Sequence, residues 1–453
     1  MLYYLLKPIV RIFYKIYYQL DVRGVDGLPD NKPLVLIPNH VNGFIDPVVT
    51  ALFSKQKIRF FARGDVFKGR FVKWLLNDLN ISPMYRMSEG YSEVKKNDKT
   101  FEECRRLLTE GKSILIFPEG ICIQERRIQK LKKGLARIVL GVEEELVNKE
   151  DIQVIPIGLN YSNASRFRSR LLLRFGEPIP LSQFHARYAS DKVKTINECT
   201  QFIEGKMREL IVEIENPAND RLYEALTEVY TKQWMEESGL PVSDQLEEHE
   251  KNKLLAAMLN NLQKSNPAKV EALEAIVLPY LSDLKRLGLR DHLLRRDALS
   301  KMNLQSTLGD FFKLWFGLPV YWIGLLLNYP PYRLARRMAD EKAKTIVFYS
   351  SVFANLAMFF WIPYYLLQLL FLAQVFHSWW LLLAWALLVP LSGLFVIRFY
   401  SVRKKAFGRW KLLGLVKKNK AEAERLIYAR EEIVELIKEG LKSTSPETFT
   451  SPG

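Results

Sequence analysis

Cysteine is the scarcest informative residue, with only Cys104, Cys122 and Cys199 in 453 positions. An odd, widely separated set builds neither a disulfide framework nor a metal cluster, and it fits a reducing compartment. Acidic residues are short as well: 50 against 66 basic ones leave a net charge of +16 and a pI near 9.5. That balance asks for an anionic partner, either nucleic acid or an anionic membrane surface. One stretch lacks charge of either sign. Residues 345–397 pass 53 positions without Asp, Glu, Lys or Arg, enough for two membrane spans of about 20 residues and a turn. Arg333, Arg336, Arg337, Lys342 and Lys344 precede it, and Arg398, Arg403, Lys404, Lys405, Arg409 and Lys411 follow. Basic clusters that abut an apolar segment favour the membrane over nucleic acid. By the positive-inside rule they put both ends of a hairpin in the cytoplasm.

Around that hairpin the chain divides by composition. Pro363 and Pro390 interrupt the two spans, which membrane helices tolerate, and Trp379 and Trp380 suit an interfacial belt. His377 reads as an interfacial residue rather than a ligand. Residues 306–344 hold a shorter apolar run, 314–327, which reads either as an interfacial helix or as a third span. A true third span would contradict the charge reading. Residues 1–21 form an amphipathic, membrane-associating helix, with Lys7, Arg11 and Lys15 on one face and near lipid phosphates. Residues 216–305 read as soluble amphipathic helices broken near Gly239 and Pro267. Residues 399–442 make a basic, charged helical tail, and 443–453 look disordered.

Residues 22–215 differ from all of these. Apolar runs at 34–37, 58–62, 81–85, 113–117, 153–159 and 171–175 alternate with helical patterns such as 93–110 and 134–148. This predicts an α/β fold, a mostly parallel sheet flanked by helices. The first run ends in Pro38-Asn39-His40, and after Asn42-Gly43 a helix is expected to start at Asp46-Pro47, with Asp46 as its cap. His40 and Asp46 then share one turn at the carboxyl edge of the sheet, where ligands of such folds gather. A histidine with a carboxylate to fix its tautomer is a general-base dyad that can activate a hydroxyl. Glu119 and Gly120 end another run at the same edge. Gly120 lets backbone approach a ligand closely, and Glu119 can accept either a polyol hydroxyl or a loop amide. Arg86 and Lys132 are the cations best placed for a phosphate.

In order and spacing, His40 to Asp46, Arg86, Phe117-Pro118-Glu119-Gly120 and Val154-Ile155-Pro156-Ile157-Gly158 resemble the four blocks of the glycerolipid acyltransferase family. That family, with its PlsC-type domain, includes glycerol-3-phosphate and 1-acylglycerol-3-phosphate acyltransferases. The resemblance implies that His40 is the base, that Asp46 orients it, and that Arg86, Glu119, Gly120 and Lys132 serve the acceptor. Five residues separate His40 from Asp46 where the family pattern has four, a form similar to the fungal-type glycerol-3-phosphate branch. Ile121 and Cys122 replace the threonine and the arginine or serine that often follow the third block.

The implied protein is a membrane-bound O-acyltransferase of phosphatidic acid biosynthesis with its catalytic domain on the cytoplasmic face. It takes an acyl group from acyl-CoA or acyl-carrier protein and needs no metal or other cofactor. Its partners are the phospholipid membrane and a phosphate-bearing acceptor, with no nucleic acid. Acylation of dihydroxyacetone phosphate or of an N-acyl amino acid lipid, and a non-catalytic lipid-binding scaffold, are the alternatives.

Overall fold

The short apolar runs become strands because each is bounded by turn residues and flanked by helices that cover both of its faces. The computed structural model describes residues 2–84, 91–145, 152–296, 304–343 and 345–444. The chain divides into two units, Met1–Glu213 with Lys344–Ser351, and Ile214–Ala343 with Val352–Gly453.

The first unit holds a seven-stranded sheet: β1 (Gln19–Arg23), β2 (Leu34–Pro38), β3 (Ile58–Arg63), β4 (Ile81–Met84), β5 (Ser113–Leu115), β6 (Gln153–Tyr161) and β7 (Arg170–Phe175), in the order β1-β7-β6-β2-β5-β3-β4. Neighbours run parallel except β6 and β7. β1 escapes sequence reading because its five residues, QLDVR, have no apolar run. On one face Val35, Ile37, Ile114 and Val154 pack against Leu107, Val139, Leu140, Ile203 and Met207. Those partners come from α4 (Tyr91–Thr109), α5 (Gly134–Glu145) and α7 (Lys192–Arg208). Each fully buried aliphatic side chain there contributes about 1.5–3 kcal/mol. The remaining helices of the unit are α1 (Leu2–Tyr17), α2 (Ile45–Phe53), α3 (Arg70–Asp78) and α6 (Ser182–Ser190).

Two expectations need correction. The cations of α1 do not point to lipid: Lys7 donates to the Ser54 carbonyl at 3.2 Å, and Arg11 lies over the Phe53 ring at 4.6 Å. The aromatic ring and the carbonyl attract that face inward, and Tyr4, Leu5, Ile9 and Ile12 are left exposed instead. Asp46 is not the cap of α2 either. Phe44 holds the cap position, and Asp46 lies in the first helical turn, free to serve the loop before it.

The second unit begins with α8 (Asp220–Leu226), α9 (Lys232–Glu237), α10 (Gln245–Ser265) and α11 (Pro267–Leu287). The break at Asn266-Pro267 forms as expected, with the Asn266 side chain accepting from Lys269 N. α15 (Lys420–Thr444) belongs to the same unit, and its Arg430 makes a buried ion pair with Asp291 at 3.0 Å. Three further helices, α12 (Leu304–Lys342), α13 (Ile346–Phe376) and α14 (Trp379–Lys418), are long and apolar enough to cross a membrane. Along α12, Asp310, Gly317 and Asn328 meet Arg409, Phe399 and Val389 in turn, so its first part runs antiparallel to α14. Leu327 and Tyr332, five residues apart, then meet Gln368 and Phe353, which lie about 22 Å apart along α13. A straight α12 cannot make all these contacts. It bends sharply at Pro330 and Pro331, whose missing amide hydrogens break the helical ladder.

Candidate active site

Three adjacent strands bring the site together. β5, β2 and β6 lie side by side and parallel, so Glu119, His40 and Tyr161 all emerge at one carboxyl edge. His40 Nδ1 lies 3.0 Å from Asp46 Oδ2. The same oxygen accepts from Val41 N at 2.7 Å and Asn42 N at 2.6 Å, and Tyr161 donates its hydroxyl to Oδ1 at 2.7 Å. Asp46 is fully buried, and these four groups occupy both of its oxygens. Burial, and after it Asp46 itself, pushes the Tyr161 phenol well above its ordinary value, so it remains a donor. An ionised carboxylate only accepts, which puts the imidazole proton on Nδ1 and leaves a lone pair on Nε2. The His40 side chain is 12% exposed and stacks on Phe117 with centroids 3.9 Å apart. The ring is thereby fixed in plane as well as in tautomer.

Glu119 takes the second of its two sequence-level roles. One oxygen accepts from His40 N and the other from Gln129 N, each at 2.8 Å, and the residue is 3% exposed. It holds the His40 loop to the segment after Gly120 rather than facing outward. Burial, outweighing the two amides, pushes its carboxyl up to about 7. Gly120 sits at φ 67°, the left-handed region, and a Cβ there would come 3.3 Å from Lys132 Cγ. The exposed Lys132 therefore lies against the Gly120 turn, its backbone fixed by a 2.8 Å bond to the Pro118 carbonyl. Arg86 lies outside the described residues.

Two contributions to the site went unread in the sequence. Cys122 comes to the dyad: its sulfur and the donor atoms of His40 and Asp46 all lie within 4.8 Å of one another, a set able to ligate a metal. The Asp46 oxygens are already taken up by the donors above. The second contribution arrives from about 300 residues away. The first turn of α13, which belongs to this unit, packs on the turn after His40. Ser351 donates to Asn42 Oδ1 at 2.8 Å and accepts from Phe44 N at 3.0 Å. Ser350 donates to the Ala164 carbonyl at 2.7 Å. Phe348 covers Gly43 so closely that a Cβ there would meet the ring at 2.3 Å. The apolar run around these serines gave no sign of it, whereas Tyr161, two residues past a predicted strand, was within reach of the edge argument.

The acyltransferase family model matches residues 19–160. The chain is 25% identical over 257 residues to glycerol-3-phosphate O-acyltransferase 1 of Saccharomyces cerevisiae, covering 54% of this chain and 32% of that one. It is 29% identical over 274 residues to an uncharacterized acyltransferase of Schizosaccharomyces pombe, covering 58% and 38%. A 1-acyl-sn-glycerol-3-phosphate acyltransferase of Chlamydomonas reinhardtii matches at 28% over 148 residues, covering 32% and 39%. The matches thus span about a third of the length of these relatives.

Proposed function

We propose that the chain, whose residues 19–160 match the acyltransferase family model, transfers a fatty acyl group from acyl-CoA or acyl-carrier protein to the hydroxyl of glycerol 3-phosphate, at a membrane. The observation that carries this reading is the His40–Asp46 pair at 3.0 Å, with Nε2 left as a base. As the acceptor oxygen attacks the thioester carbonyl, Nε2 takes its proton, and Asp46 stabilises the imidazolium that forms. The tetrahedral intermediate collapses with cleavage of the C–S bond. The departing thiolate recovers the proton from His40, so the enzyme is unchanged. The reaction needs no cofactor beyond the thioester itself. Lys132 lies against the Gly120 turn and serves the acceptor phosphate, with Arg86 as its partner.

Similarity to the yeast glycerol-3-phosphate enzyme runs over 257 residues, well past the domain, whereas that to the algal 1-acylglycerol-phosphate enzyme runs over 148. This supports glycerol 3-phosphate ahead of its monoacyl derivative. The chain is an integral membrane protein by its long apolar helices, and we place its catalytic unit on the cytoplasmic side. The bend at Pro330 supports that placement, since a re-entrant α12 keeps the basic residues after it on the same side as those after α14.

The test is thioester consumption by detergent-solubilised protein, with each donor and with glycerol 3-phosphate, its 1-acyl derivative or dihydroxyacetone phosphate. Turnover is expected to be fastest with glycerol 3-phosphate, and His40→Ala to lower it by roughly 10²–10⁴. Equal rates with every acceptor, or an unaffected mutant, would overturn the assignment. No turnover at all would leave a lipid-binding scaffold.

A further inference from the structure

The second unit contains a cavity of about 620 Å³ with no part in the chemistry above. Arg290 reaches it from the loop after α11, and Arg403, Lys404 and Lys411 from the stretch of α14 just beyond its apolar run. None of the four forms an ion pair with a described carboxylate. The nearby acid Asp310 is buried and already bound by both arms of Arg409. Of the four, Arg290 also acts on His292. Burial first, and then Lys232, Lys405, Arg290 and Arg295, push the His292 imidazole down to about 4.

The rest of the lining is apolar. Phe311, Trp315 and Leu318 come from the start of the long apolar helix α12, and Phe311 and Trp315 remain largely exposed. Trp410 also lines the cavity, and its indole N–H has no hydrogen-bond acceptor among the described residues. Arg403 lies over the Tyr321 and Tyr400 rings and Lys404 over Tyr400, contacts that leave their charge unneutralised. Cations without a carboxylate partner, an unsatisfied donor and an apolar wall therefore meet where two membrane-type helices begin and end.

We propose that this cavity binds an anionic phospholipid, its phosphate held by Arg290, Arg403, Lys404 and Lys411 and an acyl chain lying along Phe311 and Trp315. Guanidinium and ammonium groups supply charge-assisted bonds to the phosphate oxygens. The aromatic wall distinguishes a lipid from free phosphate, because an inorganic ion would leave it uncovered. The proposal rests on the membrane reading of α12 and α14 and is independent of acyl transfer.

The experiment uses the full chain in detergent, with dioleoyl phosphatidylglycerol and dioleoyl phosphatidylcholine as probes. Neither lipid is an acceptor or product of the proposed reaction, so retention at the catalytic site does not confuse the result. Lipid retention is read by native mass spectrometry. Phosphatidylglycerol is expected to be retained at least fivefold better than phosphatidylcholine, and R403Q/K404Q/K411Q to abolish that preference. The charge-preserving R403K/K404R/K411R should keep it, which separates charge from misfolding. Equal retention of the two lipids by wild type, an unchanged preference in the neutralised variant, or loss in the charge-preserving one would overturn the proposal. Displacement of phosphatidylglycerol by equimolar inorganic phosphate would also overturn it and make this a free-anion site.

Discussion

The two units each bury a carboxylate beside a tyrosine hydroxyl, and only one of the two carboxylates stands against a side chain that can give up and take back a proton. Asp46 accepts from Tyr161, two backbone amides and His40. Asp291 accepts from Tyr280 at 2.8 Å and from Arg430 at 3.0 and 3.2 Å. Both residues are nearly inaccessible. What differs is the cationic partner. Arginine keeps its proton at any relevant pH, and the Nη2 that reaches Asp291 also turns to the Val229 carbonyl and to Gln233. Histidine can lose and regain a proton, and His40 has a second nitrogen with no hydrogen bond among the described residues. Burial and hydrogen bonding alone thus do not mark a catalytic carboxylate.

The sharpest break of this comparison is to neutralise each carboxylate in turn. Asp46→Asn should lower kcat by roughly 10³ or more, because an amide no longer fixes the Nδ1–H tautomer or offsets the imidazolium. Its melting temperature should fall far less than the loss of activity suggests. If kcat survives, His40 works alone and the dyad reading fails.

In the other unit the loss should appear in stability. Arg430→Ala leaves Asp291 buried without its counter-charge and should cost about 3–5 kcal/mol in denaturant unfolding. Activity per folded molecule should hold. A volume-conserving Arg430→Met paired with Asp291→Leu should recover much of that stability, since removing both charges also removes their desolvation cost. A catalytic effect larger than the stability effect would erase the distinction drawn here.

Much of this site was legible because the rules that place it are local. His40 follows an apolar run, Glu119 follows another, and parallel pairing of β2 with β5 puts both at one edge. Even the choice between roles for Glu119 was open in the sequence and closed only by the amides that meet it. What could not be read is non-local. Ser350 and Ser351 lie in the uncharged stretch that reads as a membrane span, yet they bond to Asn42, Phe44 and Ala164. No periodicity announces a contact across some 300 residues. The Lys7, Arg11 and Lys15 face was recognised correctly as a face. Its direction was not, since the rings and carbonyls of α2 compete with lipid for the same cations.

Glu119 offers a smaller test, in the pH dependence. Its folded pKa of about 7 lies above the ordinary 4.5, so the folded state binds its proton more tightly than the unfolded chain does. Below about 4.5 this costs nothing. From there to 7 the native state loses stability as pH rises, and above 7 the full penalty, of order 3 kcal/mol, is present. Glu119→Gln removes the charge but also one of the two amide bonds. The variant should therefore be less stable than wild type at pH 4.5 and gain on it between 4.5 and 7. Unfolding midpoints at several pH values check this. A constant difference would show that Glu119 does not titrate in that window.

The smallest effect expected in the catalytic unit is that of Ser351, a positioning residue that acts only through its neighbours. Its hydroxyl both donates to Asn42 and accepts from Phe44 N, while Asn42 N and Val41 N point at Asp46. Ser351 is 1% exposed, and Ser351→Ala takes a partner from both Asn42 Oδ1 and Phe44 N, which the turn can relieve by shifting away from Asp46. A shift of a few tenths of an ångström at the dyad should lower kcat about tenfold, with KM for the acceptor unchanged, because Ser351 touches neither substrate nor His40. Ser351→Thr keeps the hydroxyl and should restore most of the rate. A rise in KM alone would mean that this turn shapes the acceptor pocket. No change in either constant would mean that the start of α13 merely rests on the catalytic turn and that the dyad holds its geometry without it.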